Sequence, residues 1–107
     1  AQVSTTGVSD AYEGIQPGVS SLGLVTPNPV YESAVIPVTV APQDIATAKL
    51  TVFDVYGRQV ADLTSLVTDT GYRNIVWDAE DIPAGVHFVR LETASGVSVR
   101  RIVSAVR

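Results

Sequence analysis

His87 is the one histidine of the chain, and cysteine is absent. An imidazole acts as a general base when a nucleophile and an orienting acid stand beside it. Serines and acids are plentiful here, yet none sits in a nucleophile motif. His87 lies within Gly85-Val86-His87-Phe88-Val89, an alternating apolar run, and reads as a strand-packing residue. A lone histidine without thiolates also lacks the ligand set of a zinc-type site. Asp78, Glu80 and Asp81 crowd carboxylates into one loop, the oxygen-rich chemistry that holds Ca²⁺. Their spacing is not that of a calcium hand, and Ile82-Pro83 cuts the loop short. They read as solvated acids, with Asp78 bonding its own turn. No catalytic residue, metal ligand or cofactor is assigned.

Trp77 has the chemistry to stack on a sugar. In a domain this small its larger use is as the biggest filler of the core. Tyr12, Tyr31, Tyr56 and Tyr72 do not line up on one strand, which gives little support to a carbohydrate platform. Asp54 and Gly57, in Phe53-Asp54-Val55-Tyr56-Gly57-Arg58, are turn chemistry. The carboxylate accepts N–H groups ahead of it, and glycine takes a positive φ where the turn ends. Gly85 follows Pro83-Ala84 as a second turn glycine. Arg100, Arg101 and Arg107 put cations on the last strand. They suit an acidic partner or guard a sheet edge against unwanted pairing.

The elements that position these residues are strands. Leu50-Thr51-Val52-Phe53, the Asp54–Gly57 turn and Gln59 to Leu63 form a hairpin around which the chain is organised. Before it, Val19 to Val25 is a first short strand, ended by Pro27-Asn28-Pro29. Ala34, Ile36, Val38 and Val40 alternate as a second. Pro37 falls on its opposite phase, which predicts a sheet edge or a bulge there. Ala48 to Val55 is the third strand and Gln59 to Leu63 the fourth; Tyr72 to Trp77 is the fifth. Val86 to Thr93 and Val97 to Val106 are the last two, joined by an Ala94-Ser95-Gly96 turn. In the final strand Val97 and Val99 share a face and Ile102 takes the other, so a bulge is expected at Arg100-Arg101. Apolar spacing of three and four is nowhere sustained, so no helix is expected. The pattern predicts an all-β domain: a seven-stranded antiparallel immunoglobulin-like β-sandwich over 19–107. Its core is expected to contain Leu50, Val52, Ile75, Trp77, Val89 and Leu91. Residues 1–18, polar with Val3, Val8, Tyr12 and Ile15 scattered through them, read as an extended N-terminal arm suited to assembly.

The chain has 107 residues, enough for one core. Its net charge of −4 is unevenly placed. Residues 31–89 carry eight acids against Lys49, Arg58 and Arg73, whereas 90–107 carry four arginines against Glu92. An acidic body with a basic last strand does not suit nucleic acid, which wants a broad basic face. It permits head-to-tail attraction between copies. No apolar run approaches a membrane span. Ala1-Gln2 without an initiator methionine reads as the end left after signal-peptide removal.

The ordered set Pro27-Asn28-Pro29, Val52-Phe53-Asp54-Val55-Tyr56-Gly57-Arg58, Trp77-Asp78, Ala84-Gly85-Val86-His87-Phe88-Val89-Arg90-Leu91 and Arg100-Arg101-Ile102-Val103 resembles the C-terminal sorting domain of the type IX secretion system. It is similar also to the related immunoglobulin-like domain of flagellar hook-capping proteins. The resemblance covers roughly residues 20–107, and His87 stands where the family most often has tyrosine. It implies the end of a cargo that crosses the outer membrane of Bacteroidota-like bacteria and is then trimmed or used for surface attachment.

Three readings of function follow. The first is a non-enzymatic structural protein at the outer surface of a bacterium or outside it, a subunit that polymerises with itself. In it the arm of one copy adds as a β-strand to the next. The second is a sorting and surface-attachment domain of a larger cargo, its partners the type IX secretion or cell-surface machinery. The third is a carbohydrate- or calcium-binding accessory module.

Overall fold

The computed structural model describes residues 20–105. The strands are β1 (Ser21–Leu22), β2 (Ser33–Val40), β3 (Lys49–Asp54), β4 (Gln59–Asp62), β5 (Gly71–Asp78), β6 (Gly85–Thr93) and β7 (Gly96–Ser104). They form a three-stranded sheet ordered β1-β2-β5 and a four-stranded sheet ordered β4-β3-β6-β7. Every strand pair is antiparallel. Among the described residues the only helical pieces are the 3₁₀ turns Pro42–Asp44 and Thr64–Leu66, and no helix is long and apolar enough to cross a membrane.

Period-2 alternation decides which side chains go inside. In β2, Ala34, Ile36, Val38 and Val40 are buried and the residues between them are not. In β6 the inward set is His87, Val89 and Leu91. Leu50 stands opposite Leu91 and Val52 opposite Val89; in the other sheet Ile36 faces Ile75 and Ala34 faces Trp77. These residues, with Leu22, Val30 and Ile102, form one cluster shared by both sheets. Each aliphatic side chain sealed in it contributes about 1.5–3 kcal/mol of transfer free energy.

Three expectations are corrected by the observed pairing. β2 is the central strand of its sheet, not an edge, and its β5 register runs without a break from Ser33 to Val40. Pro37 is tolerated because its missing N–H faces β1, which is only two residues long. Gly23 donates its N–H to the Pro37 carbonyl at 2.8 Å, and the proline has no N–H to return. A Cβ on Gly23 would lie 2.9 Å from Pro37 Cβ, so the close approach requires glycine.

The bulge expected at Arg100-Arg101 is absent. β6 and β7 pair continuously from Gly85↔Ser104 to Thr93↔Gly96. The phase misled because β7 places Val97 and Val99 outward, each about half exposed. Arg100 takes an inward-phase position opposite Val89. The observed register shift lies instead between Val52 and Phe53, where β3 meets β4. The first strand also contracts, from the expected Val19–Val25 to Ser21–Leu22, with a separate bridge at Thr26↔Val35.

Candidate functional site

Two local constructions and one groove gather several of the domain's polar side chains. The first is the β3–β4 turn. Asp54 Oδ1 accepts the N–H groups of Tyr56 at 2.9 Å and Arg58 at 3.0 Å. Its Oδ2 accepts Arg58 Nε at 2.8 Å. Gly57 donates its N–H to the Asp54 carbonyl at 3.1 Å and holds φ at 81°. The Arg58 guanidinium lies 5.4 Å from the centre of the Tyr56 ring. Desolvation acts to raise the Asp54 pKa, but the bonds from Arg58 and Tyr56 outweigh it and hold the carboxyl below its ordinary 3.8. A Cβ on Gly57 would touch nothing within 4 Å. Gly57→Val is therefore expected to destabilise the domain through backbone strain alone, by more than about 1 kcal/mol. A denaturant midpoint unchanged in that variant would refute this account of the turn.

Between this turn and the β5–β6 connection lies an open groove of about 390 Å³, lined among others by Tyr56, Arg58, Val60, Pro83, Val86 and His87. His87 is buried at its inner end, and Nδ1 sits 3.2 Å from the Gly85 carbonyl oxygen. Asp54 is the cross-strand neighbour of His87, yet its carboxylate oxygens are engaged by Tyr56 and Arg58.

The second construction was not legible in the sequence. Asp44, at the end of the Pro42–Asp44 turn, is fully buried. Ser20 Oγ donates to its Oδ2 at 2.6 Å and Ser95 Oγ to its Oδ1 at 2.8 Å. Ser20 Oγ in turn accepts the Ala41 N–H at 2.9 Å. Thr47 Oγ1 donates to the Asp44 carbonyl at 3.2 Å and accepts the Ala94 N–H at 3.1 Å. One carboxylate thus clasps three separate segments: the residue before β1, the β2–β3 connection and the β6–β7 turn. The Ser20 bond is the largest influence on the Asp44 pKa. It outweighs desolvation, and with further bonds from Ser95 and Thr93 it holds the carboxyl below 3.8.

The remaining residues singled out in the sequence are dispersed. Trp77 is in the core, 4% exposed. Asp78 Oδ1 accepts the Glu80 N–H at 3.1 Å. Among the described residues no group of three or more His, Cys, Asp or Glu could hold a metal ion. Gly85 opens β6 with φ of 134°. Arg100 does not project as a free edge cation: Nε and Nη2 donate to the Leu22 carbonyl at 3.2 and 3.0 Å, tying β7 to the other sheet. Arg101 pairs opposite Phe88 on the outward phase and is exposed. Val3, Val8, Tyr12, Ile15 and Arg107 lie outside the described residues.

Fold and site together define a small all-β domain of two stacked sheets, sealed at one end by a buried carboxylate. The family model described as the secretion system C-terminal sorting domain matches residues 24–105. The chain belongs to this family. A search of curated proteins found no match.

Proposed function

We propose that the chain is a type IX sorting domain, which directs the protein that carries it across the bacterial outer membrane to the cell surface or beyond. The observation that supports this reading is the family match, which takes in β2 to β7 entire together with Asp44, Ser95 and the Asp54 turn. The finer architecture we assign is immunoglobulin-like. The role is non-enzymatic: the domain is recognised as a folded body, and its polar residues serve turns and inter-segment ties.

The fibre reading is not favoured over this one. It rests on residues 1–18, outside the described residues, and the family match supports the sorting reading in its place. Protease shaving of intact cells that make the protein tests the assignment. The sorting reading expects the protein to be accessible at the surface, and retained in the periplasm when the type IX apparatus is disabled. Surface display that persists without that apparatus would overturn it.

A further inference from the structure

The four sheet edges are treated unequally. β1 offers two residues and β4 four. The C-terminal end of the β7 edge is covered by the chain between β1 and β2, and the rest of it carries the exposed Arg101, a charge of the kind that blunts an edge. Val30 donates to the Val103 carbonyl at 2.7 Å, Ala105 to the Val30 carbonyl at 2.8 Å and Val103 to Asn28 Oδ1 at 3.0 Å. β5 is eight residues long, and among the described residues β2 is its only neighbour in the sheet.

The phase of β5 follows from one bond. Ala79 donates to the Glu32 carbonyl at 2.8 Å, which extends the β2–β5 register by one pair. In an antiparallel ladder alternate residues bond the same neighbour. Trp77, Ile75 and Arg73 therefore turn their backbone groups to β2, and Tyr72, Asn74, Val76 and Asp78 turn theirs away. Exposed edges are normally blunted by proline, lysine, a bulge or shortness. Gly71–Asp78 has none of these. Its one cation, Arg73, is held by Asp69 at 2.8 Å. Tyr72 and Val76 stand 60% and 68% exposed beside the open edge.

We propose that β5 is a homodimerisation edge, pairing antiparallel about a twofold axis with β5 of a second copy to make one continuous six-stranded sheet. The sequence of the edge argues for a second copy as its occupant. One twofold register places Tyr72 opposite Asp78 of the second copy, Asn74 opposite Val76, and Ile75 opposite itself. It engages all four outward-facing residues of each strand, whereas a twofold register shifted either way leaves Tyr72 or Asp78 outside the ladder. It sets a phenol against a carboxylate at both ends and no like charges against each other. Exchange of Asn74 Oδ1, now 3.1 Å from the Tyr72 hydroxyl, for the Asp78 carboxylate of the second copy completes the pairing. The inference is independent of the sorting reading, since the edge closes with or without export.

Sedimentation velocity on the full chain tests it, across about 1 μM to 1 mM, where a contact of modest affinity becomes populated. The mass is expected to double reversibly, and hydrogen exchange at the Tyr72, Asn74 and Val76 amides to slow as concentration rises. Asn74→Pro removes an outward donor without taking one from the β2–β5 ladder. Val76→Lys places a charge on the edge without touching the backbone. Both are expected to stay monomeric with an unchanged thermal midpoint. If Asn74→Pro unfolds, Val76→Lys and the exchange rates of the unmodified chain decide. A chain that stays monomeric throughout overturns the proposal. So do amides whose exchange ignores concentration, folded variants that dimerise as well as the parent, or growth beyond the dimer.

Discussion

Trp77→Ala is expected to remove about 3–5 kcal/mol of stability, the range for emptying a large aromatic from a packed core. That is comparable to the whole stability of a small domain, so much of the variant should be unfolded at 37 °C. Trp77 is 4% exposed and stands opposite Ala34 on the central strand of its sheet. No other tryptophan exists to share its role. The facing residue is the smallest of the β2 core set, so little side-chain volume is at hand to collapse into the gap. Trp77→Phe keeps most of the apolar volume and should recover much of the loss. A thermal midpoint barely moved by Trp77→Ala would contradict the packing described.

The second large effect is expected at Asp44. Asp44→Ala leaves the Ser20 and Ser95 hydroxyls without their acceptor and unties three segments at once. Two hydrogen bonds to a fully buried, charged acceptor are lost together, so the thermal midpoint should fall markedly at neutral pH. Asp44→Asn keeps the shape but loses the charge, and gives the acid test. The folded carboxyl titrates below its ordinary 3.8, so the folded state holds its proton less tightly than the unfolded chain. The stabilisation is complete above about pH 3.8 and fades as pH drops through the lower folded value. Asp54 and Asp62, also lowered, titrate in both proteins and cancel in the comparison. Stability curves of the parent and Asp44→Asn should therefore be separated at pH 7 and converge in acid. Curves that stay parallel would show that the carboxylate charge does not sustain the clasp.

These two sites differ in how far they could be read from the chain alone. Trp77 lies in a strand whose apolar period points it inward, as do Ile36, Leu50, Val89 and Leu91, because a sheet's faces are set by local alternation. Asp44 lies in a short loop with no period to read, and its partners are 24 and 51 residues away. Burial of that kind depends on which loops the two sheets bring together, and no local pattern encodes it. Prolines and valines misled for the same reason. Pro37 marks a strand short of a donor, but only the topology shows that the neighbour on that side is two residues long. The inward phase of Arg100 makes sense only with the Leu22 carbonyl beside it. The Asp54–Gly57 turn was the opposite case, since its donors lie within four residues of the carboxylate.

The proposed sorting function should travel with the domain to another protein. The direct measurement fuses residues 1–107 to the C-terminus of a periplasmic reporter and compares the exported fraction in a type IX-competent bacterium with that in a strain lacking the apparatus. The account predicts reporter at the surface or in the medium of the competent strain, confinement to the periplasm in the deficient one, and loss of export with Trp77→Ala. A reporter confined to the periplasm of the competent strain, with the fused domain shown to be folded, would contradict it.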